Sequence, residues 1–392
     1  MKLLILSFYY QPDLSAGSFR TTALVKALLE KLPAHAHIEL ITTLPNRYSS
    51  FSSEAPELEE HPRLTIRRIA LPAHKSGMAD QAKAFLVYAN GVRKIVQNKQ
   101  YDLIYATSSR LMTASLGALI ARQKKTPLYL DIRDIFVDTI KDILPKKLIW
   151  LLKPMLSLLE SFTIKSAKKV NLVSAGFLPY FKSRYPDQHY SLFTNGIDDE
   201  FLDVQPVESS ASLNPVLDVV YAGNIGEGQG LHTIIPALAK RLEGKLRFRV
   251  IGDGGRLAHL KEAISSTGCT NVELLNPVKR NELIQVYQSA DVLFLHLNDY
   301  DAFRKVLPSK LFEYAALGKP IWAGISGYAA SFVAEHIENT AVFEPCDVDA
   351  ATRSFENLNI LTSPRHAFVE RFARGNIMRE MSQDILSLKE AR

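Results

Sequence analysis

A carboxylate one helical turn beyond a serine and a lysine is the arrangement in this chain best placed to do chemistry. The stretch from Val306 to Pro320 reads Val-Leu-Pro-Ser-Lys-Leu-Phe-Glu-Tyr-Ala-Ala-Leu-Gly-Lys-Pro and follows an apolar run, 292–297. Pro308 suits the first turn of a helix, where its missing N–H costs nothing. Ser309 and Lys310 then stand where free backbone amides and the positive helix end favour a phosphate. Glu313 lies one turn further in, within reach of a ribose hydroxyl. Gly318 and Pro320 end the helix before a strand over 321–323. Together these residues describe half of a nucleotide site.

Other chemically capable residues close strand-like runs. Tyr9–Ser18 is a strand-to-helix loop with small residues, Ala16 and Gly17, that let backbone amides approach a substrate oxygen; a plain turn is the other reading. Tyr221–Gly230 holds four glycines in eight positions, Gly223, Gly226, Gly228 and Gly230. Such density is costly in an ordered loop unless backbone approach or positive φ is needed. The loop is not GxGxxG and opens the second half of the chain, which weighs against a nicotinamide-binding dehydrogenase. Ile251–Gly255 contains a Gly-Asp-Gly turn, in which Asp253 is either beside a ligand or simply a turn former. Asp131-Ile132-Arg133-Asp134 ends another run. Either carboxylate could orient an acceptor hydroxyl or take its proton, and a structural salt bridge is an equal reading.

The elements that must position these residues alternate. Strand patterns at 2–8, 38–42, 63–69, 103–106, 128–132, 170–174 and 191–193 are interleaved with helical spacing at 15–32, 80–97 and 111–123. A polar, Ser-rich, Pro-containing stretch, 204–215, reads as a linker. A second cycle follows: strands at 216–222, 248–251, 272–274 and 292–297, helices at 231–242, 257–267 and 279–289, then the Pro308 helix and its strand. Helices over 329–336 and 364–389 complete it. Alternation of this kind predicts two doubly wound α/β halves with parallel sheets and ligands at the strand ends between them.

The motifs Pro12–Gly17, Tyr221–Gly230, Ile251–Gly254 and Pro308–Pro320, in this order, resemble the GT-B glycosyltransferases. The similarity is strongest to the large retaining family, glycosyltransferase family 4-like, that includes bacterial lipopolysaccharide and capsule transferases. It covers nearly the whole chain. It implies two Rossmann-like domains facing a central cleft: an acceptor-binding domain over 1–200, a nucleotide-sugar-binding domain over 201–365, and a last helix over 366–392 crossing back to the first. It implies donor contacts at Gly223, Asn224, Gly226, Gly252, Asp253, Val278, Lys279, Pro308, Ser309, Lys310, Leu311 and Glu313, to which this chain's own cations Arg304 and Lys305 are added as expected donor contacts. Acceptor contacts fall on Tyr10, Ala16 and Gly17, and catalytic roles on Asp131, Asp134 and Glu313.

Two departures stand out. Glu313 matches the second glutamate of the family's E-x7-E pattern, but the first position is Lys305. Relatives also carry a Lys near Glu227 and an Arg near Asn224, and this chain has neither. Arg304, Lys305 and Lys310 are the expected substitutes against the donor diphosphate. Retention is implied by the resemblance alone, and with it front-face chemistry, in which positioning and leaving-group stabilisation matter most.

Composition bounds these readings. The chain has 392 residues, 47% hydrophobic and 22% charged, ample for two domains. Cys269 and Cys346 have no metal or redox spacing and read as buried small residues in a reducing compartment. The histidines, His35, His37 and His296 among them, show no ligand pattern, and no DxD is present, so no metal or other cofactor is expected. The start lacks a secretory pattern and no run spans a bilayer, so the chain is expected in the cytoplasm. The net charge is +6. Its lysines interleave with Leu, Ile and Trp150 across 141–169, which suits an anionic inner-membrane surface; a partly buried helix with snorkelling lysines is the rival. Nucleic acid is not expected, for want of interleaved arginines and aromatics. The expected activity is transfer from a UDP-sugar to a glycan or polyprenyl-linked acceptor in surface-polysaccharide assembly. The rivals are a nucleotide-sugar 2-epimerase of the same fold and a non-catalytic nucleotide-sugar-binding subunit.

Overall fold

The computed structural model describes residues 1–13, 15–45, 55–72, 78–108, 111–135, 146–204 and 216–390. They form two compact units, Met1–Asn195 with Arg374–Arg392, and Gly196–Ala373. The first unit contains β1 (Lys2–Leu6), α1 (Ala16–Lys31), β2 (His37–Thr43), β3 (Leu58–His61), β4 (Leu64–Ile69), α2 (Met78–Val96) and β5 (Leu103–Thr107). It continues with α3 (Leu111–Lys124), β6 (Leu128–Ile132), α4 (Lys146–Ser166), β7 (Lys169–Leu172), α5 (Leu178–Arg184) and β8 (Tyr190–Ser191). The second unit runs α6 (Asp199–Leu202), β9 (Leu217–Asn224), α7 (Leu231–Arg241), β10 (Leu246–Asp253), α8 (Leu257–Thr267), β11 (Val272–Leu275), α9 (Arg280–Ser289) and β12 (Val292–His296). After it come α10 (Lys310–Ala316), β13 (Ile321–Gly324), α11 (Tyr328–His336), β14 (Thr340–Phe343), α12 (Val348–Glu356) and α13 (His366–Phe372), before α14 (Arg374–Glu390) rejoins the first unit.

The first sheet has the order β3-β4-β2-β1-β5-β6-β7-β8, parallel except for β3 against β4. Its central strands β5 and β6 are buried at every position, as strands covered by helices on both faces must be. The chain moves outward from β1 to β2, then crosses to the other side as β5. The sheet order therefore reverses between β1 and β5, and ligands of doubly wound sheets collect outside the strand ends at such a point. Ser15 caps α1 by accepting from the Ser18 amide. Helix α14 packs on α1. Its Asp384 accepts from Tyr129 Oη at 2.9 Å and Ser191 Oγ at 2.6 Å, and pairs with Lys169.

The second sheet is wholly parallel, in the order β11-β10-β9-β12-β13-β14, and reverses between β9 and β12. Trp322 of β13 is fully buried against Phe248, Phe294, Phe343 and Phe355. Its Nε1 donates to Ser354 Oγ at 3.0 Å, so the one polar atom of the ring is satisfied. Truncating such a ring costs about 3–5 kcal/mol.

Most strands and long helices fall within two or three residues of the sequence pattern. The single helix expected over 364–389 is two. Ala373 is extended between α13 and α14 and bridges Ile197, whose amide donates to Phe372 O at 2.8 Å. Strands β3 and β14 are too short to show a period, and helix α12, amphipathic with Ala351 and Phe355 buried on one face, was missed although its period is present. Of the lysine-rich segment 141–169, residues 141–145 lie outside the described residues.

Candidate functional site

At the reversal point of the second sheet, β9 ends in Tyr221-Ala222-Gly223-Asn224. Gly223 has φ +146°, and a Cβ added there would overlap the ammonium of Lys310. Gly252, at the matching level of β10, has φ +151° and lies so close to Gly223 that a Cβ would strike the Gly223 carbonyl. These two positions require glycine because two strand ends and a lysine converge there. Two buried tyrosines hold the strand end, Tyr221 donating to Asn224 O at 2.6 Å and Tyr287 to Ala222 O at 3.5 Å, while a third, Tyr314, donates to Phe294 O of the neighbouring β12 at 3.3 Å.

Lys310 opens α10 with its Nζ 5.3 Å from the centre of the Tyr221 ring, a cation–π geometry. Burial lowers its pKa, against the pull of Glu313. Among the described residues its ammonium makes no hydrogen bond or ion pair. Glu313 has a side chain 13% exposed and faces Arg280 Nη1 at 3.5 Å. Arg280 also pairs with Asp198, lies 3.1 Å from Glu200, and covers the Phe201 ring at 5.2 Å. Arg280 thus fixes Glu313 one turn below Lys310. Sequence reading stopped one residue short of it, at Lys279; the only available signal was a basic residue at the start of α9.

The glycine-rich loop is fastened from three sides. Gln229 Oε1 accepts from Asn224 Nδ2 at 2.8 Å and from the Gly226 amide at 3.2 Å. Asn298 Nδ2 donates to Glu227 O at 3.0 Å, and its amide to Gly228 O at 2.9 Å. His296, fully buried at the end of β12, donates from Nδ1 to Gln229 O at 2.7 Å and accepts from the Cys346 amide at 3.0 Å. Burial pushes its pKa from 6.5 down to about 4, so the ring is neutral, which this donor–acceptor pattern needs. Glu227 accepts from Tyr300 Oη at 2.5 Å and pairs with Arg256. These contacts, Tyr300 first, lower its pKa. Arg256 is the cation that the sequence reading sought beside the loop and did not find, because it comes from the following strand's turn.

Several expected donor contacts take other roles. Leu311 has no exposed surface, and its amide already donates to Pro308 O at 3.2 Å, so it serves the core. The helix begins at Lys310, and Pro308 and Ser309 precede it. Asp253 Oδ1 accepts from the Gly254 amide at 2.7 Å, the turn-forming role. Arg304 is 52% exposed and lies 3.3 Å from Asp299 and 3.8 Å from Asp301, so its charge is already shared with acids. Lys305 closes a 3₁₀ turn and is half-buried. Val278 is half-buried, and Lys279 is exposed ahead of α9, its amide 3.4 Å from Glu282 Oε2.

In the first unit the expected catalytic Asp131 is wholly buried. Oδ2 accepts from Arg20 Nε at 2.8 Å and Tyr105 Oη at 3.0 Å; Oδ1 accepts from Arg20 Nη2 at 3.0 Å and Asn171 Nδ2 at 2.7 Å. Burial alone would raise its pKa, and Arg20 outweighs that and holds it low. A carboxylate with four donors on it takes no further proton, so the salt-bridge reading of Asp131 holds in place of the catalytic one. Asp134 is exposed just beyond it. Tyr10 is 3% exposed, and its hydroxyl is pushed up to about 12 by burial, so its ring packs into the core. Ala16 is half-buried and Gly17 buried at the head of α1.

Two doubly wound sheets, the second with a glycine-rich strand end, an unpaired lysine and a carboxylate one turn below, define the GT-B class of transferase. Residues 21–196 match the glycosyl transferase 4-like domain, and residues 209–373 match the glycosyl transferases group 1 family. The chain belongs to the GT-B glycosyltransferases of the family 4-like type. It is 27% identical over 175 residues to WcaI of Escherichia coli (strain K12), whose name assigns it to colanic acid biosynthesis as a glycosyl transferase. That match spans 43% of this chain and 42% of that relative. Sucrose-phosphate synthase from Thermosynechococcus elongatus superposes over 100% of this chain and 99% of its own, with TM-score 0.76 at 14% identity. HepE of Anabaena, solved in complex with UDP-glucose, superposes over 99% of both chains with TM-score 0.68 at 17% identity.

Proposed function

We propose that this chain transfers a sugar, with retention, from a UDP-sugar to a glycan or lipid-linked glycan acceptor in surface-polysaccharide assembly. The observation that carries the reading is the Lys310 ammonium held without an anionic partner against Gly223, at the reversal point of the second sheet. A diphosphate at that strand end would supply the missing charge, with Gly223 leaving room for the Lys310 ammonium to reach it. Glu313, oriented by Arg280, is placed to accept from ribose hydroxyls. Lys310 takes the leaving-group role that relatives give to other loop cations, whereas Arg256 is engaged by Glu227 and steadies the loop, and transfer is proposed to need no metal. The UDP complex of HepE supports the choice of nucleotide, and the name of WcaI supports the setting.

A peripheral membrane position is part of this proposal. No helix among the described residues is long and apolar enough to cross a bilayer. On α4, Met155 and Leu158 are 58% and 73% exposed, with Lys153 and Lys165 exposed on the same helix. Exposed apolar residues beside lysines suit an anionic interface.

Calorimetry against UDP, GDP, ADP and CMP tests the core of the reading. Selective UDP binding that weakens in Glu313→Ala is the expected result. Binding of none of the four would overturn the donor site. UDP release from a UDP-sugar that depends on added acceptor separates transfer from the epimerase and binding-subunit readings, and persistence of that release in EDTA tests the metal-free claim.

A further inference from the structure

The C-terminal edge of the first sheet holds a second cation, Arg133, one of whose donors is unsatisfied among the described residues, and it is not among the groups assigned above. Arg133 follows β6 directly, and its backbone amide donates to Ser108 Oγ at 2.8 Å. Strands β5 and β6 are neighbours, with Thr107 opposite Asp131. The residue therefore sits beside the reversal point of the first sheet, where such folds take ligands. Its nearest carboxylate is already occupied. Asp131 receives Arg20 through two nitrogens, together with Tyr105 and Asn171. Arg20 further donates to Phe193 O at 2.8 Å and Thr194 O at 2.5 Å.

Arg133 Nη1 is sealed from solvent and has no hydrogen-bond partner among the described residues. Burial first, and then the like charge of Arg20, lower the Arg133 pKa, with Asp131 and Asp134 opposing. Orphaned polar atoms gather around the same hub. Thr107 Oγ1, Thr194 Oγ1, Asn195 Oδ1 and Ser18 Oγ are each buried without a partner. Thr107 lies in register with Asp131, Thr194 supplies one of the two carbonyls that receive Arg20 and Asn195 follows it, and Ser18 is two residues from Arg20 in α1. Folded proteins leave few buried polar groups unsatisfied, so the orphaned Arg133 Nη1 and Thr107 Oγ1 on adjoining strand ends, with Thr194 and Asn195 just after β8, point to a missing partner. A guanidinium's partner of choice is a two-oxygen anion.

We propose that Arg133 binds an oxyanion of the acceptor, a phosphate ester or a carboxylate, with the surrounding hydroxyls taking its remaining oxygens. The acceptor is thereby an anionic molecule and not a neutral sugar. This rests on the reading that the first unit holds the acceptor. Arg133 Nη1, without an acceptor among the described residues, is then the donor offered to that oxyanion.

The test uses the full chain and hydrogen exchange read peptide by peptide, with inorganic pyrophosphate and glucuronate as separate probes at constant ionic strength. Pyrophosphate protection of peptides covering 103–108 and 128–135 is expected for a phosphate-bearing acceptor; glucuronate protection of the same peptides assigns a carboxylate instead. Arg133→Gln should weaken that protection at least tenfold, and Arg133→Lys two- to tenfold because it keeps the charge and loses the planar fork. Neither substitution should alter protection of 217–230 by UDP. The inference is overturned if neither probe protects the first-unit peptides, or if both variants keep wild-type protection. Loss of UDP protection at 217–230 in the unmodified chain would instead sink the donor-site reading and leave the first-unit result to be read on its own. Lys at 133 is the milder change, so it decides the matter should the Gln variant fail to fold.

Discussion

Both sheets bring a basic side chain to the reversal point of strand order, and they treat its charge in opposite ways. In the first, Arg20 is closed into a buried pair with Asp131, every strong acceptor around it in use. In the second, Lys310 is held over a tyrosine ring with no acceptor among the described residues. A satisfied charge is architecture; an unsatisfied one at a ligand-collecting edge is chemistry in waiting. The difference can be broken from either side.

The largest effect is expected in the first sheet. Asp131→Ala leaves the Arg20 guanidinium buried without its counter-charge, which costs about 3–5 kcal/mol. Urea unfolding should show that loss in the first unit. A change under about 1 kcal/mol would mean that water or a neighbour reaches Arg20 readily, against its closed surroundings. Replacing both residues together with Met and Leu should recover most of the loss, because the pair's desolvation cost disappears with its attraction.

The two sheets also differ in how acid reaches them. The ring of His296 is neutral in the fold, with a pKa of about 4 against an ordinary 6.5. Between those values the unfolded chain binds a proton that the folded one refuses, so stability falls as pH drops from about 6.5 to about 4 and levels below. The span corresponds to about 3 kcal/mol. Asp131 is held below its ordinary 3.8, so its contribution is present above that value and is lost only as pH falls beneath it. The second unit should therefore weaken first on acidification. Melting followed by Trp322 fluorescence from pH 7 to pH 4 measures this, and His296→Gln should flatten the slope. An equal slope in that variant would assign the sensitivity elsewhere.

What the sequence showed and what it hid divide along the same line. Periodicity exposed most of the strands and long helices, and glycine spacing exposed the β9 loop, because both are local. Glu313 and Lys310 were legible since one turn of helix links them. Arg256 and Arg280 were not, because each reaches its partner from a different strand–helix unit; nothing near Glu227 announces an arginine 29 positions on. Asp131 misled for the same reason. A carboxylate at a strand end looks catalytic until Arg20, 111 residues earlier, is seen to occupy it. The Lys305 substitution drew attention to Arg304 and Lys305, whereas the cations nearest the glycine-rich loop are Lys310 and Arg256.

Lys310→Met sharpens the comparison in the second sheet. Removing a desolvated cation that has no partner should leave stability unchanged or slightly higher, the reverse of Asp131→Ala. UDP affinity should fall about 10- to 100-fold, or about 1.4–2.7 kcal/mol, if the ammonium meets the diphosphate. Calorimetry with UDP and with uridine separates the cases: a loss for both would place Lys310 near the base or ribose, whereas a loss for UDP alone places it at the phosphates.

Arg304 provides the smallest expected effect and the most discriminating one. Its guanidinium is half exposed and shared between Asp299 and Asp301, the setting in which ion pairs contribute between nothing and about 1 kcal/mol. Arg304→Ala should shift unfolding by no more than about 0.5 kcal/mol and UDP affinity by less than about threefold. The argument for Lys310 depends on this contrast. Both are cations near the same strand ends, and both were expected to neutralise a diphosphate, so proximity alone would predict similar losses. Unequal losses would show that what matters is whether the protein has already supplied an anion. A tenfold loss in Arg304→Ala would mean that the acids release it on ligand binding, and the internal pairing would then be a poor guide to which charges act on substrate.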